Sequence, residues 1–433
     1  MIDIRYICEN PQEVIERLAA KGCDAADAVA EIVRLDGERR AMILAGDNLK
    51  ARQNKASKEI PAIKKAGGDA SALMEEMKAL SDEIKENDAR LREVEARRTE
   101  LLLSLPNLPD PDVVPGGKEN NQELRRFGEP HVFDFQPRDH VELCTELGLI
   151  DYPRGTKLSG NGFWVYRGMG ARLEWALLNY FIDSHLADGY EFVMVPHMLA
   201  PDCGTISGQF PKFADEVYWI DGGEDGRRYF LLPTAETALV SLHAGELMDE
   251  NALPRKYAAY TPCFRKEAGS YRTDERGMVR GHQFNKVEMV QYTRPEDSDA
   301  AFEELVGKAE RLVSGLGFHF RTVKLAAGDC SASMARTYDI EIHIPSMGGY
   351  KEVSSVSNSR DYQARRGNIR FRREATGKPE FVHTLNGSGL ATSRILPAIV
   401  EQNQRPDGSV VVPEALRKYL GGTELLTKTG SIK

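Results

Sequence analysis

Cysteine is scarce and scattered: six in 433 residues, with no CxxC and no Cys/His pair at zinc-finger spacing. A disulfide scaffold and a structural zinc site are therefore both disfavoured, and reduced thiols in a cytoplasmic protein are expected. No apolar run approaches the length of a membrane span, and the acidic early residues of MIDIRYICENPQEV leave no apolar leader core, so no membrane partner is expected. Both common phosphate-binding signatures are missing: there is no GxGxxG followed by an acid and no GxxxxGK[ST]. Any nucleotide must sit on another scaffold. Positive charge is in deficit, with 57 Lys and Arg against 66 Asp and Glu and a net charge of -9. That balance excludes a protein that coats nucleic acid indiscriminately and gives no reason to expect a DNA partner, while leaving room for a localised basic strip that binds RNA. Internal repeats and low-complexity tracts are also absent. With 41% hydrophobic residues, the chain is long enough for two or three domains.

The richest stretch is CFRKEAGSYRTDERGMVRGHQFNKVEM, residues 263–289. Its arginines alternate with turn-forming Gly269, Ser270, Asp274 and Gly277 between two runs, 257–265 and 283–292, that read as strands. A strand–loop–strand unit of this kind suits phosphate recognition by guanidinium forks. The plain alternative is a charged hairpin whose arginines pair with Glu267, Asp274 and Glu275 in solvent.

Upstream, Leu73, Met77, Leu80, Ile84, Asn87, Leu91, Val94, Arg98 and Leu101 alternate spacings of four and three over residues 71–104. Ala28, Leu35, Met42, Leu49 and Ala56 form a matching seven-residue ladder, with polar interruptions at Arg39, Gly46 and Gln53. Pro61 and AGGD (66–69) break the pattern, predicting an antiparallel helical hairpin that turns within 61–70 and projects roughly 45 to 50 Å. Its distal part carries Lys50, Arg52, Lys55, Lys58, Lys64 and Lys65 against Glu59 alone. These cations read either as an RNA contact or as the solvated face of a dimerising coil. SLPNLPDPDVVPGGKENN (104–121) cannot continue the helix and predicts a boundary. Beyond it, a helix over 170–189 and strands over 190–196, 324–326, 339–344 and 351–357 are expected, and the last dozen residues read as a loose tail.

Together with HTLNGSGLATSRILPAIVEQNQ (383–404), the 263–289 stretch resembles motifs 2 and 3 of class II aminoacyl-tRNA synthetases, in wording close to the seryl-tRNA synthetases. PTAE (233–236), TYDIEIHIPSMGGYKEVSSVSNSRDYQARRGNIRFR (337–372) and the heptad region extend the likeness over nearly the whole chain. The resemblance implies an α+β class: an antiparallel sheet flanked by helices, preceded by a long helical coiled-coil hairpin. The corresponding division is a tRNA-binding arm at 1–104, a linker at 105–125 and a catalytic domain at 126–433. It implies ATP-dependent activation of L-serine and its transfer to the 3′ end of tRNA(Ser), with tRNA(Sec) left open as a second acceptor.

By the same resemblance, Arg265 bridges the α-phosphate of ATP and the serine carboxylate, and Glu267 accepts from the adenine amino group. Arg280 and main chain at Gly281 contact the nucleotide, Phe284 stacks on adenine, and Arg394 reaches the γ-phosphate. Arg265 and Arg394 are the catalytic pair. Glu352 and Ser355 match the family's Mg²⁺ ligands, although residues three apart alternate faces of an ideal strand, so a shared ion needs a bend or bulge. Thr234, Glu236, Glu288, Asn386 and Ser388, with Arg265, match the serine pocket; the arm cations match the tRNA contact. His282 reads as structural. Motif 1 corresponds to residues 170–199 and implies a homodimer. Arg272, Glu275 and Gly281 depart from the common pattern of the motif 2 loop. Two rival functions remain: a paralogue that loads a small amino acid on a carrier, which should lack the coil, and an inactive tRNA-binding protein, which should have lost Arg265, Glu267, Glu288 or Arg394.

Overall fold

The computed structural model describes residues 1–223, 226–267 and 277–428. It divides into two compact units: Ile2–Ala19 with Cys23–Pro106, and Asn107–Lys433 with Met1 and Ala20–Gly22.

Two long helices, α1 (Ala26–Lys65) and α2 (Ser71–Ser104), dominate the first unit. Every seam position foreseen on α2, from Leu73 to Leu101, is buried or half-buried, as the four-three spacing requires of the stripe that faces a partner helix. The helices run antiparallel, since positions further out on α1 meet positions further back on α2: Asp36 with Arg98 (2.6 Å), Arg39 with Glu95 (2.8 Å) and Arg52 with Glu76 (3.2 Å). The polar seam positions thus pin the register. Gly46 sits where Asn87 crosses, so close that a Cβ would lie 2.9 Å from its Nδ2, and that nitrogen donates to the Met42 carbonyl at 3.1 Å.

Pro61 does not end the helix. It lies inside α1, whose last residue is Lys65, and the turn begins only at Ala66, still within the span foreseen for it. There Gly67 adopts φ +72° and the Gly68 N–H caps the Ile63 carbonyl at 3.0 Å. With 40 residues, roughly 60 Å at 1.5 Å per residue, α1 is longer than foreseen, whereas the 34 residues of α2, roughly 50 Å, match the span foreseen for it.

An eight-stranded sheet organises the second unit. In chain order its strands are β1 (Gln122–Phe127), β2 (Glu191–Phe192), β3 (Arg255–Phe264), β4 (Gln283–Thr293), β5 (Phe320–Lys324), β6 (Arg336–Ile344), β7 (Gly349–Asn358) and β8 (His383–Ala391). Their spatial order is β1-β5-β6-β7-β8-β4-β3-β2, antiparallel except for the β2–β3 pair. Helices α3 (Met169–Ala187), α4 (Ser298–Gly315) and α5 (Thr392–Gln402) bury their apolar residues against it. Leu173, Leu177 and Phe181 of α3, Phe302, Leu305 and Leu312 of α4, and Ile395 and Ile399 of α5 join one core with Ile340, Ile342 and Leu385 of the sheet. Period-2 alternation sends Tyr338, Ile340 and Ile342 of β6 into that core and Asp339 and Glu341 to the opposite face.

Several expectations need adjustment. The strand foreseen over 324–326 is β5, which ends at Lys324, and within the foreseen loose tail Leu425 and Leu426 pair with Val411 and Val410 and Leu426 joins the core. The strand foreseen over 190–196 is short: it pairs at Glu191 and Phe192, with one further bond from the Val193 N–H to the Ala258 carbonyl at 2.9 Å, before Val195 packs on a second apolar cluster and Pro196, which has no N–H to give, is reached. The 105–125 segment is more than a tether: Asn107 Nδ2 donates to the Ser333 and Ser359 carbonyls, and β1 opens within it at Gln122. No helix among the described residues is long and apolar enough to cross a membrane.

Candidate active site

β3 and β4 are neighbours, with Phe284 opposite Cys263, and the chain between them returns through Val279, Arg280 and Gly281. Alternation on β4 puts Phe284, Lys286 and Glu288 on the site face while Val287 and Met289 enter the core. Arg265 follows β3. Its N–H donates to the His282 carbonyl at 2.9 Å, and His282 Nδ1 returns a hydrogen bond to the Arg265 carbonyl at 3.0 Å, so this imidazole holds backbone as foreseen. The Arg265 guanidinium lies 5.2 Å from the centre of the Phe284 ring and donates through Nε to the Pro233 carbonyl.

Glu267 holds a left-handed backbone (φ 50°), uncommon for a non-glycine residue, and its Oε2 accepts from Arg280 Nη1 at 2.6 Å. The acceptor and the cation foreseen for one nucleotide thus meet each other. Gly281 has a steric reason, since a Cβ there would stand 2.2 Å from the Trp164 ring. Arg272 and Glu275 lie outside the described residues.

Arg394, in the first turn of α5, donates from Nη1 to the Glu352 carbonyl at 2.6 Å and from Nε to the Val279 carbonyl at 3.3 Å, with Glu352 Oε2 3.7 Å away. One guanidinium therefore joins the motif 2 return to β7. The bend that Glu352 and Ser355 need is present. β7 pairs Glu352 with Glu341 and Ser354 with Ile340, so Val353 is the extra residue of a β-bulge. Past it Ser355 pairs with Asp339, and because Asp339 and Glu341 share a face, Ser355 and Glu352 do too. Asp339 went unnoticed in the sequence. Its carboxyl is buried, one oxygen (Oδ1) has no partner, and burial, then the Glu352 charge, hold its pKa well above the usual carboxylate range. No cluster of three His, Cys, Asp or Glu with metal-binding geometry occurs among the described residues, so an ion here would rely on a hydroxyl and on oxygens of a substrate.

The second half of the site is smaller and more buried. Thr234 caps the short helix Ala235–Leu239, and Lys286 Nζ bridges Thr234 Oγ1 (2.7 Å) and Glu288 Oε2 (2.5 Å). Asn386 Nδ2 donates to Glu288 Oε1 at 3.1 Å, and Ser388 pairs with Glu288 across β8 and β4. Glu236 accepts from Gln363 Nε2 at 2.9 Å; burial, then the neighbouring Glu288, push its pKa up to about 7. Lys286 and Gln363 were missed. The only signal was their place inside quoted segments, FNKVEM and RDYQARR, where neither type stands out.

Arg265, Glu267, Arg280, Gly281, Phe284, Glu352, Ser388 and Arg394 line one cleft. Thr234, Glu236, Glu288 and Asn386 do not line it but connect to it through Lys286 and Ser388, and Ser355 stands beside Asp339. The six arm cations belong to the other unit and are all exposed. Lys50 pairs with Asp88 and Arg52 with Glu76, whereas Lys55, Lys58, Lys64 and Lys65 have no ion-pair partner among the described residues.

Residues 1–109 match the model of the seryl-tRNA synthetase N-terminal domain, and residues 218–403 that of the tRNA synthetase class II core domain (G, H, P, S and T). A Clostridium acetobutylicum protein called serine–tRNA ligase 2 is 58% identical over 98% of this chain and its own whole length. The crystal structure of seryl-tRNA synthetase from Pyrococcus horikoshii complexed with ATP superposes with a TM-score of 0.92 at 34% identity, over 99% of this chain and 100% of that one. A cytoplasmic serine–tRNA ligase from Naegleria fowleri in complex with AMP gives 0.87 at 29% identity, over 99% of each chain. Motif geometry, sequence and whole-chain superposition therefore agree, and the chain belongs to the seryl-tRNA synthetase family of class II aminoacyl-tRNA synthetases.

Proposed function

We propose that the chain activates L-serine with ATP and transfers the seryl group to tRNA(Ser). The observation that carries this reading is one cleft with three guanidinium groups, Arg265, Arg280 and Arg394, whose wall at Lys286 and Ser388 joins a buried polar cluster of Glu288, Thr234 and Asn386. Activation joins two anions. A serine carboxylate oxygen attacks the α-phosphorus, the bond to the bridging oxygen breaks, and pyrophosphate leaves; positioned cations offset the repulsion and the developing charge. Arg265 touches both reactants, Glu267 and Phe284 hold adenine, Arg280 and the Gly281 main chain hold the nucleotide, and Arg394 takes the γ-phosphate. Glu288 and Glu236 accept from the serine ammonium and hydroxyl, and Thr234, Asn386 and Ser388 complete the small polar pocket. In the second step a ribose hydroxyl at the tRNA 3′ end attacks the seryl carbonyl and AMP leaves.

A Mg²⁺ ion fits Glu352 and Ser355, which the bulge at Val353 turns to one face beside the unpartnered Asp339 oxygen. When bound, it would neutralise phosphate charge. The division into a tRNA-binding arm at 1–104, a linker at 105–125 and a catalytic domain at 126–433 is part of this reading, and Lys55, Lys58, Lys64 and Lys65 are the arm's free cations for RNA phosphate, with Lys50 and Arg52 beside them. A homodimer is supported by the apolar exposure of the motif 1 segment, at Trp175 (54%), Leu186 (49%), Met194 (83%) and Met198 (48%). Six free thiols suit a cytoplasmic setting.

ATP–pyrophosphate exchange across all amino acids, followed by charging of tRNA(Ser) and tRNA(Sec), tests the reading. Serine alone should support strong exchange. Exchange with no amino acid would remove the enzyme assignment.

A further inference from the structure

Glu174 lies on α3, outside the cleft, and is 3% exposed. Its Oε1 accepts from Asn285 Nδ2 at 2.7 Å and from Thr392 Oγ1 at 2.5 Å. Those donors come from two different motifs. Asn285 follows Phe284 on β4, and its amide is oriented by Tyr260, which donates to Oδ1 at 3.2 Å. Thr392 is the first residue of α5 and stands two before Arg394. The Thr392 hydroxyl has one hydrogen and two acceptors, Glu174 Oε1 at 2.5 Å and the Asn285 carbonyl at 3.2 Å, so the charge on the carboxyl decides which one holds it.

Nothing else neutralises this carboxyl. No cation pairs with it among the described residues, and Oε2 has no hydrogen-bond partner. The ionisable groups that face it are the Tyr166 hydroxyl, near enough to favour the ionised form but also short of a full hydrogen bond, and Tyr260 of β3. Burial pushes its pKa up to about 7 against the hydrogen bonds from Thr392 and Asn285 and the nearby Tyr166 hydroxyl. A buried carboxyl that ionises near neutrality with no cation beside it costs stability. A purely structural link could use glutamine.

We propose that Glu174 is a positioning residue for the nucleotide half of the site: its carboxylate draws Thr392 and Asn285 together, fixing the start of the Arg394 helix against the Phe284 strand. This rests on reading the cleft as the ATP site. The serine pocket hangs on other contacts, Lys286, Gln363 and Asn386, so the effect should separate by substrate. Because the carboxylate form is the one that grips, the KM for ATP should fall as pH rises through about 7.

The test is ATP–pyrophosphate exchange with serine from pH 6 to 8.5, varying ATP and serine separately, for the wild type, Glu174→Gln, Thr392→Val and the double variant. At pH 8 Glu174→Gln should raise the KM for ATP about tenfold and leave the KM for serine within about twofold. It should also flatten the pH dependence of the ATP KM, and Thr392→Val should add little on top of it. If Glu174→Gln does not fold, Thr392→Val alone, which keeps the carboxylate and removes its donor, carries the same expectation. A wild-type ATP KM and pH profile in a folded variant would overturn the proposal, as would an equal rise in both KM values with the pH profile kept. A wild type without serine-dependent exchange would instead overturn the ATP-site reading.

Discussion

The arm and the catalytic unit handle buried polar groups in opposite ways. Along the arm seam they are matched across the two helices: Arg98 with Asp36, Arg39 with Glu95, Asn87 with the Met42 carbonyl. In the catalytic unit, buried oxygens of Asp339, Asn386 and Glu174 lack a partner, whereas among the described residues of the arm only Arg98 Nε does. Leaving such groups unmatched costs free energy, so their concentration marks where a ligand, an ion or a proton completes the structure. The arm is nearly complete as it stands; the site is built around what it lacks.

The largest effect expected from breaking this contrast is at Arg265. Arg265→Ala should slow serine activation by roughly a thousandfold or more, about 4 kcal/mol or above in barrier, because its contact strengthens as charge develops at phosphorus. Arg265→Lys should recover little if the fork geometry is used, and a near-normal exchange rate in the Lys variant would show that a point charge suffices. Removing residues 27–104 and joining the ends should do the reverse of a site mutation. Exchange should persist while tRNA charging falls roughly a hundredfold or more, since only phosphate contacts are lost. A truncated protein that charges tRNA at near full rate would disconnect the arm from RNA.

A smaller and more selective break is the quadruple change of Lys55, Lys58, Lys64 and Lys65 to Ala. It should weaken charging by about tenfold at moderate salt and flatten the dependence of log KM for tRNA on log salt by about three, leaving exchange unchanged. An unchanged salt slope would favour the solvated-face reading of these lysines.

The same contrast explains what the sequence revealed. The heptad seam was legible because its period is local: nine α2 positions were named from spacing alone, and all nine are buried or half-buried. Pro61 misled because one lost hydrogen bond does not end a helix whose neighbouring turns are held along a 40-residue partnered seam. In the catalytic unit, motif wording located the residues that line the cleft, but not the pairings that make them a site. That Lys286 bridges Thr234 and Glu288, or that Val353 bulges so that Glu352 and Ser355 share a face, depends on register between strands far apart in the chain. Spacing within one segment carries no such information.

The finest test of the contrast is the response of stability to pH. In the arm, the carboxyls of Glu31 and Asp69 are lowered by hydrogen bonds from Arg97 and Ser71, so their contribution is present above the unfolded pKa and lost only in acid. Glu236 is the opposite case, raised to about 7 by burial and then by Glu288. The folded state therefore holds a proton that the unfolded chain has already released between about pH 4.5 and 7, and the stabilisation from that proton, full below this window, is lost as pH rises through it. The wild-type curve hides this, because buried His185 and His383, with pKa lowered to about 4, gain stability with rising pH over much of the same range. The difference between Glu236→Gln and wild type isolates it. That difference should shift by about 2–3 kcal/mol in favour of the variant between pH 5 and pH 8, several degrees in Tm by thermal unfolding. Serine should bind the same variant more weakly, since the charge that costs stability is the one offered to the ammonium. A stability difference that stays constant from pH 5 to 8 would mean that Glu236 does not change charge in this window, and unchanged serine binding in the variant would leave the carboxylate role to Glu288 alone.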